Sequence, residues 1–220
     1  MKGFQRRWWV SLLCVLGLTL PSVRAHDFWV DAEATLETAP DRFILTLGSG
    51  HHFPHSDGPP NPRLVHRLAW QDTDGAWHEV SAGAAGRVTV QEEPHNLYRT
   101  LLILQPPRAP RPVYTSQSLL KRAPLQDESW PAPQGIGVEF TLALDSTGKV
   151  QVQVLRDGEP VYATVTAYTP DSRPVRVATG PDEPGRLAWT PGTPLLLTTS
   201  VGPQSGSLLL RVPPAQTEVE

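Results

Sequence analysis

The stretch that decides the fold lies between residues 137 and 168. It reads Gly137-Val-Glu-Phe-Thr-Leu-Ala143, then Lys149-Val-Gln-Val-Gln-Val-Leu155, then Val161-Tyr-Ala-Thr-Val-Thr-Ala-Tyr168. Apolar and polar residues alternate with a period of two, the repeat of a strand with one buried face. Asp145-Ser-Thr-Gly148 and Asp157-Gly-Glu-Pro160 separate the runs, and such residues form hairpin turns because Gly and Asp tolerate positive φ.

The pattern extends in both directions. Arg42 to Leu47, Leu64 to Trp70, Ala76 to Val80, Arg87 to Gln91 and Leu97 to Gln105 are short strand-like runs on the N-terminal side, and Leu187 to Thr190, Leu195 to Val201 and Gly206 to Arg211 follow on the C-terminal side. Twenty-four prolines and seventeen glycines leave long helices no room. The expectation is an all-β protein of two small β-sandwich domains: residues 26–122 carry the first, 123–135 a linker, 136–213 the second and 214–220 a polar tail. Pro106 to Arg111 forms a proline- and arginine-rich bridge, and Tyr114 to Arg122 is the one segment expected to hold a short helix. Alternation through Leu64, His66, Leu68 and Trp70 predicts that His66 faces inward.

Residues 1–25 have the grammar of a cleaved secretory signal peptide. Lys2, Arg6 and Arg7 precede an apolar run from Trp8 to Leu20, and Val23-Arg-Ala25 supplies the cleavage site. The run is shorter than the roughly twenty residues of a membrane-spanning helix, so no integral membrane segment is expected after cleavage. The mature chain would begin at His26, secreted or periplasmic. The only cysteine, Cys14, lies inside the signal, which excludes disulfides and thiolate metal sites from the mature chain. The leader carries four cations, Lys2, Arg6, Arg7 and Arg24, and no acid, so its removal takes the formal charge from −3 to −7. That balance argues against nucleic acid as a partner.

All seven histidines fall between His26 and His95. Cleavage before His26 would create a free α-amine beside an imidazole on one residue, two nitrogens able to chelate one ion. The loop Gly48-Ser-Gly-His51-His52-Phe-Pro-His55-Ser-Asp57 offers further imidazoles. Nitrogen donors of this kind suit Cu(II) or Ni(II), with Co as a further candidate, better than they suit tetrahedral zinc. The candidate metal ligands are therefore His26, His52, His55 and His51, with Asp27 and Asp57 as oxygen donors or as partners that orient an imidazole. His78 and His95 read as surface residues. The second domain reads as support, its acids scattered at solvated loops. Catalytic machinery is not evident: Gly48-Ser-Gly lacks the strained Gly-x-Ser-x-Gly turn of a nucleophile, and no phosphate-binding glycine loop is present.

His26-Asp-Phe-Trp-Val30, Gly50-His-His-Phe-Pro54 and Asp157-Gly-Glu-Pro-Val161 with the run to Tyr168 resemble the domain-of-unknown-function family 4198, whose members are often labelled NikM-like. The resemblance implies a periplasmic β-rich protein with an immunoglobulin- or prealbumin-like C-terminal sandwich and a link to nickel and cobalt handling. It points to His26 and to His52-Phe53 as places for the metal. Three functions follow. The first is a non-enzymatic metal-binding accessory protein, whose partners are the ion and a membrane metal transporter. The second is a copper histidine-brace oxidase acting on a polysaccharide. The third is a metal-free structural or interaction module of the envelope.

Overall fold

The computed structural model describes residues 27–34, 42–51, 53–72, 74–83, 85–91, 97–121, 133–144 and 149–213. These residues are almost entirely β. In chain order the strands are β1 (Asp27–Ala34), β2 (Arg42–Gly50), β3 (Val65–Gln71), β4 (Trp77–Glu79), β5 (Arg87–Gln91), β6 (Leu97–Leu104), β7 (Tyr114–Lys121) and β8 (Val138–Leu144). They continue as β9 (Val150–Arg156), β10 (Glu159–Pro160), β11 (Ala163–Tyr168), β12 (Val175–Thr179), β13 (Gly185–Leu187), β14 (Leu195–Val201) and β15 (Gln204–Arg211). One 3-10 turn, Pro62–Leu64, precedes β3. Among the described residues no helix is long and apolar enough to cross a membrane.

Eight strands form one continuous sheet in the order β12-β11-β14-β15-β7-β6-β3-β4. Two smaller sheets, β1-β2-β5 and β10-β9-β13 with β8 paired to β9, pack against it. They lie on opposite faces, because neighbouring residues of a strand point to opposite sides. On β7, Leu120 joins the core of Phe43, Leu45, Trp70 and Leu102, whereas Leu119 joins the core of Phe140, Val152, Leu197 and Leu208. Each small sheet and the part of the large sheet beneath it make one sandwich, so the two sandwiches share a sheet. The junction is the parallel pairing of β15 with β7.

The expected short helix at Tyr114 to Arg122 is corrected: residues 114–121 are the strand β7, and Arg122 lies outside the described residues. Both faces of β7 are covered, so its run of Thr, Ser and Gln carries no period-two apolar signal. Pairing with β6 and β15 fixes its conformation regardless. The turn expected at Asp157 is present, with φ of 52° at Asp157 and 89° at Gly158, the positive values of a tight hairpin turn. The other expected turn, 145–148, lies outside the described residues, as do the leader, most of the expected linker and the C-terminal tail.

The expected inward His66 is also corrected, since His66 is exposed. Val65 pairs with Leu104 and Arg67 with Ile103, so His66 is the extra residue of a β-bulge. A bulge resets the alternation, which lets Val65, Leu68 and Trp70 all pack on the same core without His66.

Candidate functional site

β1 and β2 pair antiparallel from Asp27 opposite Gly50 to Ala34 opposite Phe43. β1 is the edge strand of its small sheet, and an unpaired edge leaves backbone groups without partners. Here side chains of the large sheet supply them. Ser116 Oγ accepts the Val30 amide at 3.0 Å, and Ser207 Oγ donates to the Phe28 carbonyl at 2.5 Å. The Arg211 guanidinium adds a two-point contact to the Asp31 carboxylate, 2.6 Å at each oxygen. β1 is thus fixed to the large sheet by serine hydroxyls and a fork-to-carboxylate pair.

The loop after β2 is folded back on the strand that leads into it. The Asp57 amide donates to the Ser49 carbonyl at 2.7 Å, and Ser49 Oγ donates to the Gly58 carbonyl at 2.9 Å. Ser56 Oγ accepts the Ser49 amide at 3.1 Å. Ser49 therefore holds the loop in place. Phe53 is buried edge-on against Trp29, with ring centroids 5.8 Å apart. Trp29 and Trp70 belong to the core, and Trp77 is half-buried with its indole N–H donating to Gln134 Oε1 at 3.0 Å.

Where the β1–β2 ladder ends, the described residues form an open cleft of about 500 Å³ against the large sheet. Asp27 and His51 stand on one side, with Thr164, Thr166, Thr198 and Arg176 across from them. Tyr168 Oη donates to Asp27 Oδ2 at 3.4 Å. Tyr114 is also in the lining, and its hydroxyl is buried beside the Phe28 backbone and Ser207 with hydrogen-bond geometry to neither. Burial pushes the Tyr114 phenol well above its ordinary pKa, and the nearby Asp27 charge pushes the same way, so the group is a neutral donor. Because its hydroxyl has no hydrogen-bond partner to lose among the described residues, Tyr114→Phe is expected to change stability by less than about 0.5 kcal/mol. Urea unfolding tests this, and a loss above about 1.5 kcal/mol would mean that the hydroxyl has a structural partner.

Of the candidate ligands, His51 and His55 are described and both are exposed. His51 lines the cleft with Asp27, whereas His55 stands on the folded-back loop outside its lining. His26 and His52 lie outside the described residues, and so does His95. Among the described residues no three His, Asp or Glu side chains converge as a metal site. Of the described donors in the cleft, the His51 imidazole is of the kind that nickel and copper prefer, and the Asp27 carboxylate is a harder oxygen donor. They fit part of a site. His78 is half-exposed, as expected of a surface residue. It stacks on Trp70 and holds the Asp72 carboxyl below its ordinary pKa through a 2.6 Å contact.

One buried polar cluster had no signature in the sequence. Glu139, on β8, is buried, which corrects the expectation that the acids of the second half sit at solvated loops. It accepts hydrogen bonds from Gln117 Nε2 at 3.0 Å and from the amides of Gln134, Gly135 and Ile136 at 2.8, 2.6 and 3.1 Å. Arg99 Nη2 lies 3.8 Å away. An acid in an alternating strand reads as a solvent-facing residue, so no local signal marks it as buried.

No family model and no curated protein matches the chain. Among solved structures, a two-domain fibronectin type III segment of chicken tenascin matches 86% of this chain and 100% of its own, at 12% identity and a TM-score of 0.28.

Proposed function

We propose that this chain is an exported accessory protein that binds a transition metal, Ni(II) or Cu(II) in first place and Co(II) after them, at the open end of the β1–β2 ladder. The observation that carries the reading is the pairing of Asp27 with Gly50. His26 is bonded to Asp27 and His51 to Gly50, so the two histidines are the chain neighbours of one facing pair. Cα atoms of bonded neighbours are 3.8 Å apart, and facing Cα atoms across an antiparallel pair about 4.5–5.5 Å. Cleavage after Ala25 would add the His26 amine to its own imidazole. The His51 imidazole and the Asp27 carboxylate would then be the next donors. The resemblance to family 4198 supports the same reading, with a periplasmic location and a membrane metal transporter as the receiving partner.

The test uses the exported protein, first sequenced to establish that it begins at His26. Calorimetric titration is expected to give one tight equivalent of Ni(II) or Cu(II). Losing an outer-shell partner costs about 10- to 100-fold in metal affinity, and His26→Ala and His51→Ala, which remove ligands, are expected to cost more. One extra residue ahead of His26 should hurt as much as His26→Ala, because the amine moves away from the imidazole. His55→Ala should leave binding unchanged. Tight binding that survives His26→Ala, the extension and His51→Ala alike would overturn the proposal.

A further inference from the structure

We infer that the cleft beside the ladder end takes a small carboxylate chelator together with its metal, and that Arg176 is the partner of the carboxylate. The inference deepens the metal reading and rests on it for one end of the cleft. The other end rests on the sheet itself. Across five strands, Arg176 stands opposite Thr166, Thr166 opposite Thr198, Thr198 opposite Ser207 and Ser207 opposite Ser116. At the Ser116–Ser207 end this row of hydroxyls already binds polar atoms, namely the Phe28 carbonyl and the Val30 amide of β1. Beyond β1 the same row continues into the cleft as Thr198, Thr166 and the exposed guanidinium of Arg176.

The chemistry of the lining selects the ligand. The Arg176 guanidinium is a donor only, and the threonine hydroxyls beside it can donate as well. They call for a ligand rich in acceptor oxygens, and a guanidinium matches the two oxygens of a carboxylate better than it matches a neutral polyol. Asp27 at the other end repels a free carboxylate, and a cation bound beside it removes that repulsion. The ligand that satisfies both ends is a metal carboxylate. The span agrees. Tyr168, which contacts Asp27, is two residues from Thr166 along β11, about 7 Å, and Arg176 is one strand further, about 4.8 Å. A compact di- or tricarboxylate bridges such a distance.

The test is equilibrium dialysis of the processed protein with Ni(II) alone, with citrate alone and with both, measuring protein-bound nickel and citrate separately. The expected result is one citrate retained per chain in the presence of nickel and none without it. Arg176→Met should weaken citrate retention about tenfold, the loss of one charge-assisted contact, while nickel binding without citrate is unchanged. Sorbitol serves as the neutral probe and should not be retained. Nickel kept while citrate is not retained, citrate retained equally by Arg176→Met, or sorbitol retained like citrate would each overturn this inference and leave the metal reading standing. No nickel retained under any condition would overturn both.

Discussion

Replacing Glu139 by alanine is expected to cost about 3–5 kcal/mol of folding stability, the penalty for breaking a buried ion pair by removing one partner. The magnitude comes from what the truncation leaves behind. Arg99 is 5% exposed and Glu139 1%. Burial lowers the Arg99 pKa, and the Glu139 charge acts in the opposite sense, so without the carboxylate a buried cation loses a favourable opposite charge. The amides of Gln134, Gly135 and Ile136 and the side chain of Gln117 lose their acceptor at the same time. The cluster joins β6 and β7 of the large sheet to β8 of the small one, so the loss falls on the docking of one sheet against the other. Glu139→Gln keeps an acceptor oxygen in place and should cost less. Urea unfolding reads both values, and an alanine variant within about 1 kcal/mol of wild type would show that the cluster contributes only shape.

The Glu139 cluster also marks the boundary of what the residues reveal by themselves. Strands with one buried face were legible, since β2, β5 and β9 fall where alternation puts them. β7 was not, because a strand covered on both faces by serine, threonine and glutamine partners has no apolar periodicity to read. β12 has Val175 and Arg176 exposed at the edge of the large sheet, so its pattern is also weak. At the candidate site the histidine cluster was visible as composition. The register that sets Asp27 against Gly50 was not, nor was the hydroxyl row under β1. Both depend on contacts between residues far apart in the chain, such as Val30 with Ser116 and Phe28 with Ser207.

Gly48→Ala and Trp29→Ala are expected to be coupled, each destabilising alone and the pair no worse than Trp29→Ala by itself. Trp29 faces Gly48 across the β1–β2 ladder, and its indole lies over the glycine where a Cβ would stand. Trp29 is 3% exposed and is packed by Phe53, Leu196 and Leu209. The ring has no room to yield, so the added methyl of Gly48→Ala should cost about 1–3 kcal/mol as overpacking. Removing the ring in Trp29→Ala should cost about 3–5 kcal/mol, through lost burial and the cavity left behind. In the double variant the methyl occupies part of that cavity. The cycle should therefore close with a favourable interaction energy of about 1–3 kcal/mol, within the range seen for residues in contact. Additive losses would mean that the indole and Gly48 do not touch in solution. The same ring packs on Phe53 in the loop after β2, so Trp29→Ala should also weaken binding at the proposed metal site, whereas Gly48→Ala with the ring retained tests packing alone.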